Sequence, residues 1–429
     1  MLKALSVNEL TLCVGADVHL DEIVLRAVDK SDGHEVLERF HVTNNLPGAQ
    51  SAATTLAQAA AQGQYTHLEI GWEATGLLWV PFHRFLSTSP LLRPFTPELV
   101  CFNPKLVANF KEGLVLRRPK NDERAAWDIA ARVRFGEWPV SYVPADFWQG
   151  LRRLTRYRYQ LARNLSREEM RFQSYAFLKA SDWKRVKPFS SVFGATSIAL
   201  LTEFTVAELT AMSHDQLVEV ITHRGHGRFE DPTATARAVQ EALRTSYPID
   251  PHMDEMVTAT LATGWEHIRY IKRLMKRLDQ HIAHYITPVP NPLITVKGLG
   301  AVITAGILAE VVDITRFPEH KHVAQYIGLT WEKRSTGNFV SQNTRLTKVG
   351  NVYLRYYAIL GAEQLRRHNL EYQAYYWRKY QEVAKYQHKR ALVLTARKFV
   401  RLVHALLTKN QPYVMRHAAP ESEAPIESA

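Results

Sequence analysis

Cysteine is nearly absent from this chain: Cys13 and Cys101 are the only two in 429 residues. Each falls in an apolar run that reads as a buried strand, so both are expected to be core thiols in a reducing compartment. That excludes a disulfide framework and a cysteine-based zinc site. Long apolar runs are missing too. None approaches the roughly 20 residues that span a bilayer, and the N-terminus lacks a signal-peptide pattern. Without an amphipathic or lipidated terminus, no membrane partner is expected and a cytoplasmic location is. Acidic residues are in deficit: 42 Asp and Glu stand against 54 Lys and Arg, giving a net charge of +12 and a pI near 9.5. Such a balance suits a polyanion, and nucleic acid is the commonest polyanion in a cytoplasm.

The first 135 residues alternate strand and helix signals. Leu10–Val18 is an apolar run, and Ile23–Val28 and Val36–Val42 alternate apolar and polar residues around a Lys30-Ser31-Asp32-Gly33 turn, which predicts an antiparallel meander. Pro47 and Gly48 open an alanine-rich helix to Gln62. A strand at Thr66–Ile70, a helix at Leu77–Leu86, a strand at Leu99–Phe102 and a short helix after Pro104 follow. The last element is a helix beginning near Asp122. The order βββαβαβα is that of the α/β ribonuclease-H-like fold, assigned to residues 1–143. Residues 144–290 read as almost wholly helical. Leu151, Leu154, Tyr157, Leu161 and Leu165, then Trp265, Ile268, Ile271, Met275, Leu278 and Ile282, recur at three- and four-residue spacing among many arginines and lysines. They predict a coiled-coil arm with an inserted tip, or equally a plain helical bundle with solvated charges, and either is suited to holding partner subunits or phosphates. A compact, mostly helical domain is expected over 291–413, and a disordered tail over 414–429.

Three acids occupy topologically related places. Asp17 ends the first strand, and Glu73 lies just past the fourth. Asp122 follows the basic loop Arg117-Arg118-Pro119-Lys120 and opens the final helix. In a ribonuclease-H-like sheet the first and fourth strands are neighbours, so these carboxylates converge. Close carboxylates stay ionised only if a cation neutralises them. Oxygen ligands without sulfur or a histidine cluster favour Mg²⁺ or Mn²⁺. An Asp in a first helical turn is equally a favourable cap.

Two further constellations lie near the C-terminus. Lys297-Gly298-Leu299-Gly300 resembles the turn of a helix-hairpin-helix, whose backbone N–H groups, at Gly298 and Gly300, can meet a phosphate. It can also be a plain connector. Ser335 sits in Glu332-Lys333-Arg334-Ser335-Thr336-Gly337, followed by Arg345, Lys348 and Arg355. A loop hydroxyl among such cations has what a phosphoryl-transfer nucleophile requires. Between Tyr372 and Phe399, aromatics interleave with cations. Most of the aromatics are expected in the core and several cations on nucleic acid.

As a set, these motifs resemble the insertion-sequence transposases with an N-terminal DEDD, RuvC-like domain and a C-terminal serine-bearing transposase domain. Those are relatives of the Piv DNA invertase, and several are bridge-RNA-guided recombinases. The resemblance runs from about Gly15 to Leu407. It implies Asp17, Glu73 and Asp122 as metal ligands for Mg²⁺ or Mn²⁺, and Ser335 as a nucleophile forming a phosphoserine link. Lys120, Gly298, Gly300, Lys333, Arg334, Arg345, Lys348 and Arg355 become the nucleic-acid contacts. Expected partners are double-stranded DNA at the element ends and target, a guide RNA, and further copies of the chain as a homodimer or homotetramer. A bacterial cytoplasm, at the nucleoid when on DNA, is the implied location.

Two departures stand out. The family pattern wants a second Asp three residues after the first, and here that position is Ala125. Asp128 lies roughly 240° around a helix from Asp122 and is a poor substitute. Some relatives carry Ser immediately before the Gly, where this chain has Thr336. Ser335 is preferred because a primary hydroxyl is less hindered. The rival expectations are a metal-dependent nuclease or junction resolvase, and a catalytically impaired nucleic-acid-binding protein.

Overall fold

Strand alternation and polar turns build the first three elements: β1 (Thr11–Val18), β2 (Glu22–Asp29) and β3 (Glu35–Thr43), an antiparallel meander. The computed structural model describes residues 10–104, 107–110, 124–138, 142–331 and 346–415, with the backbone of 335–336 and 339–340. It divides into two units, Met1–Val143 and Pro144–Ala429.

In the first unit, α1 (Leu46–Gln62) starts at Asn45, whose side chain accepts a hydrogen bond from the Gly48 N–H. Pro47 lies in the first turn, where its missing donor costs nothing. Next come β4 (His67–Glu73), α2 (Trp79–Thr88), β5 (Glu98–Phe102) and α3 (Ala125–Phe135). Residues 107–110 are also helical. β4 runs parallel to β1 and β5 parallel to β4, so the sheet order is β3-β2-β1-β4-β5. Central β1 is covered on both faces, which is why its sequence is a continuous apolar run. Leu12, Val14, Ile70 and Trp72 pack in the core that includes α1 and α2, whereas Cys13, Val100 and Phe102 pack under Ile129, Ala130 and Val133 of α3. This mixed sheet with helices on both faces is consistent with the ribonuclease-H-like class. The expected helix start at Asp122 lies outside the described residues.

β4 outruns its expected end at Ile70 by three residues, and the reason is tertiary. Gly71 reads as a strand breaker, yet a Cβ there would sit 2.4 Å from Val133 Cγ2 and 2.7 Å from the Phe102 ring. Glycine is the residue that lets α3 lie close on this strand.

The second unit is built on two long helices, α4 (Asp146–Lys179) and, after five short helices, α10 (Pro251–Ile286). They run antiparallel: Arg158 pairs with Asp279, Glu169 with Lys272, and Lys179 with Asp254. The short helices at the far end are α5 (Trp183–Val186), α6 (Ala195–Glu203), α7 (Val206–Ala211), α8 (His214–Gly225) and α9 (Pro232–Arg244). They share a core of Trp183, Leu200, Leu217, Ile221 and Val239 with Phe172 and Leu261 of the long pair. At the near end Leu151, Ile282 and Ile286 join a larger core with α11 (Ala301–Val311), α12 (His320–Tyr326), α13 (Val352–His368) and α15 (Gln387–Lys409); α14 (Leu370–Gln381) adds Tyr372. Among the described residues, no helix is long and apolar enough to cross a membrane.

Candidate functional site

The pairing of β1 with β4 runs from Thr11↔His67 to Ala16↔Trp72. The next residues are Asp17 and Glu73, so the two acids end neighbouring strands that lie ~4.8 Å apart. Ala16 and Trp72 face the core on the α1 side. Strand alternation therefore turns Asp17 and Glu73 toward the opposite face, the one α3 covers. Both are half-buried. His19 Nε2 lies 3.1 Å from Asp17 Oδ2.

Helix α3 reaches this end of the sheet. A Cβ on Gly15 would lie 2.0 Å from the Ala126 oxygen and 2.3 Å from the Ala130 nitrogen. At the other end of α3, Arg134 donates to the Lys30 and Ser31 carbonyls, and Lys30 N–H bonds to Thr11 O at the start of β1. So α3 runs antiparallel to β1, with its N-terminus toward Asp17. Ala125, half-buried, stands at that N-terminus. Asp122 lies outside the described residues.

Two hard oxygen donors side by side on rigid strands fit a divalent cation such as Mg²⁺. Ala125 adds no ligand to them. Among the described residues, Asp29, Asp32 and His34 also offer ligand atoms close together. They form the β2–β3 turn at the opposite end of β1. Asp29 Oδ1 accepts from Ser31 N and Asp32 N, and Asp32 Oδ1 from His34 N, which makes the cluster a turn device.

In the second unit, Ser335 and Thr336 form a short strand paired with Phe339–Val340, Ser335 opposite Val340. On either side of it in sequence, residues 326–331 and 346–351 pair as a stem. Asn351 N–H bonds to Tyr326 O, Lys348 N–H to Gly328 O and Thr347 N–H to Thr330 O, and Trp331 bridges Leu346. Arg397 of α15 stacks over the Trp331 ring at 5.4 Å.

The expected nucleic-acid contacts divide. Lys120, Lys333, Arg334 and Arg345 lie outside the described residues. Lys348 is exposed, with φ of 53°. Arg355 uses Nη1 to brace the stem, donating to Ile327 O at 2.8 Å and Lys348 O at 3.0 Å. Gly298, at φ 98°, lies against His368 at the end of α13, whereas Gly300 is exposed and caps α11 with open space where a Cβ would be. Of the aromatics between Tyr372 and Phe399, Tyr372 and Tyr376 are buried, while Tyr386 is exposed. Residues 291–415 hold 19 Lys and Arg against 7 Asp and Glu, whereas residues 1–143 hold 14 against 16. The positive charge therefore belongs to the C-terminal region.

The residue pattern did not single out Glu310, which is fully buried. Arg156 Nε and Nη2 donate to its two oxygens at 2.6 and 2.8 Å, and Asn351 Nδ2 donates at 2.8 Å. Arg152 lies 3.6 Å away and also donates to Ala309 O. Burial alone would raise the Glu310 carboxyl, but Arg156, then Arg152 and Asn351, hold it below the usual carboxylate range. A signal did exist: Glu310 is the only charged residue in α11, AVITAGILAEV. Arg152, Arg156 and Arg158, expected to face phosphates or partners, point inward to Glu310, Asp279 and Tyr356.

Sheet order, paired acids and the covering helix are consistent with a ribonuclease-H-like domain of the metal-dependent kind. Comparison with known families gives the more particular class. Residues 14–179 match the DEDD-type transposase family of IS110 elements, and residues 291–377 match the Transposase IS116/IS110/IS902 family. Both matches are to transposase families. No curated protein matches it.

Proposed function

We propose that this chain is the transposase or site-specific recombinase of an insertion sequence, cutting and rejoining double-stranded DNA by serine phosphoryl transfer with metal assistance. One observation carries the reading: the two transposase matches fall where the chemistry collects. The Asp17–Glu73 pair lies within 14–179, and the Ser335 hairpin within 291–377.

In this reading Ser335 Oγ attacks the scissile phosphorus. The Oγ–P bond forms as the bond from phosphorus to the leaving sugar oxygen breaks. The hydroxyl proton passes to water, and the leaving oxygen takes one up. One phosphodiester replaces another, so a DNA hydroxyl attacking the phosphoserine reverses the step without an energy donor. Lys333, Arg334, Arg345 and Lys348 neutralise charge on the phosphate. Asp17, Glu73 and Asp122 would hold Mg²⁺ or Mn²⁺, which when bound supplies Lewis-acid stabilisation of phosphoryl oxygens. A structured bridge RNA selects the target, and joining two duplexes calls for a homodimer or homotetramer, with the helices of 144–290 as the assembly device.

The test is to incubate protein, element-end DNA, candidate guide RNA and Mg²⁺, then look for a denaturant-resistant protein–DNA adduct. An adduct lost in Ser335→Ala supports the reading. Cleavage without an adduct points to a nuclease or resolvase. One observation favours a second reading, an impaired nucleic-acid-binding protein: Ala125 stands at the N-terminus of α3, where the family pattern wants a carboxylate. Binding without cleavage or adduct would select it.

A further inference from the structure

We infer that Glu310 is a positioning residue for the serine-bearing hairpin, acting through Asn351 at the base of the stem. The inference rests on Ser335 as nucleophile and adds how that residue is held.

Half-buried Asn351 anchors the base of the stem, beside the Arg355 brace. Asn351 uses every polar atom of its side chain: Oδ1 accepts from the Tyr353 and Leu354 N–H groups, capping α13, while Nδ2 donates to Glu310 and to the Tyr326 hydroxyl. Its backbone N–H bonds to Tyr326 O at 2.7 Å, closing the stem. Asn351 therefore ties the end of α12 to the start of α13, where the stem begins. The Oδ1 bonds fix which way its amide group faces, so Nδ2 must point at Glu310. Glu310 in turn is held from the far side by Arg152 and Arg156 of α4.

A plain structural ion pair would need only the arginines. This carboxylate shares one oxygen, Oε2, between Arg156 and Asn351. Three positions thus lie in one chain of contacts: the base of the long helix, the buried carboxylate and the stem that flanks the Ser335 hairpin in sequence. A nucleophile must be placed within a fraction of an ångström of its phosphorus, and a misplacement of about 1 Å can lower the rate about 100-fold. Loosening the base of the stem leaves exposed Lys348 able to bind DNA but blurs the position of the hydroxyl.

The experiment uses the full chain and two variants, Glu310→Ala and Asn351→Ser. Serine at a helix N-cap keeps an acceptor for the first-turn N–H groups but cannot reach Glu310, so Asn351→Ser folds even if Glu310→Ala does not. Two readouts are taken: amide hydrogen exchange at Thr347, Lys348 and Asn351, and the rate of adduct formation against DNA concentration. Faster exchange is expected in both variants. The adduct rate at saturating DNA should fall about 10-fold or more, with the half-saturating DNA concentration unchanged. Asn351→Ser with unchanged exchange, or with an unchanged saturated rate, overturns the inference. If wild-type protein gives no adduct, the serine reading falls and exchange alone decides: faster exchange supports the brace and unchanged exchange overturns it.

Discussion

The Ala126 carbonyl oxygen lies 2.0 Å from the place where a Gly15 β-carbon would be. Helix α3 therefore rests on the backbone of β1 with no side chain between them, and its first residues reach the strand end that carries Asp17. Because the contact involves main-chain atoms, a side chain at position 15 must lift the helix.

Gly15→Ala is accordingly expected to destabilise the first unit by about 1–3 kcal/mol, the range for overpacked cores. Calorimetry of the two proteins checks this, with a lower melting temperature expected in the variant. An unchanged melting profile would mean that α3 does not sit on β1.

Ala125→Asp should tighten divalent binding. The position lies on the first turn of α3 at the acid end of the sheet, so a carboxylate there would add an oxygen donor beside Asp17 and Glu73. Titration with Mn²⁺, followed by electron paramagnetic resonance of the free ion, is expected to show at least about 10-fold higher affinity. Equal affinity in the two proteins would show that this position is remote from the ion.

Lys179 gives a pH signature in the second unit. It is 1% exposed, and its ammonium donates to the carbonyls of Leu201 and Phe204 and to Thr258 Oγ1, with Asp254 3.7 Å away. Burial pulls it down to about 8, partly offset by Asp254. The folded value lies below the unfolded one of about 10.4. Between these two values the unfolded chain binds more protons, so this group's contribution to stability rises with pH and is lost as pH falls toward 8. The stability of wild type relative to Lys179→Met should therefore increase between pH 8 and pH 10, by at most about 1.4 kcal/mol per unit. Urea titrations at several pH values measure it, and a flat difference would contradict the buried ammonium.

Lys348 and Arg355, both expected on nucleic acid, should behave differently. Lys348 is exposed, and its replacement by Ala should lower the salt slope of DNA binding by about one. Arg355 braces the Ile327 and Lys348 carbonyls. Arg355→Ala should therefore loosen the stem, seen as faster amide exchange at Lys348. Equal effects of the two on the salt slope alone would contradict this division.

Much of the first unit was legible because its signals are local. Alternation in Ile23–Val28 and Val36–Val42, the polar turn between them and the Pro47-Gly48 helix start each act within a few residues. What was not legible depends on distant partners. Gly71 looks like a strand end until Val133 and Phe102 are placed beside it. The arginines of α4 look solvated until Glu310 and Asp279, more than a hundred residues away in sequence, are seen to neutralise them. Asp17 and Glu73 could be paired in advance because topology alone makes the first and fourth strands neighbours. The place of Asn351 between Glu310 and Tyr326 likewise needs the folded chain.

The central claim is that Ser335 becomes covalently joined to DNA. The direct measurement is mass spectrometry of the denatured, nuclease-trimmed adduct formed with element-end DNA, guide RNA and Mg²⁺. The account predicts a nucleotide remnant on the peptide containing Ser335, absent when Ser335 is replaced by Ala. DNA cleaved by a protein that never carries the remnant, or a remnant on Thr336 that survives Ser335→Ala, would contradict it.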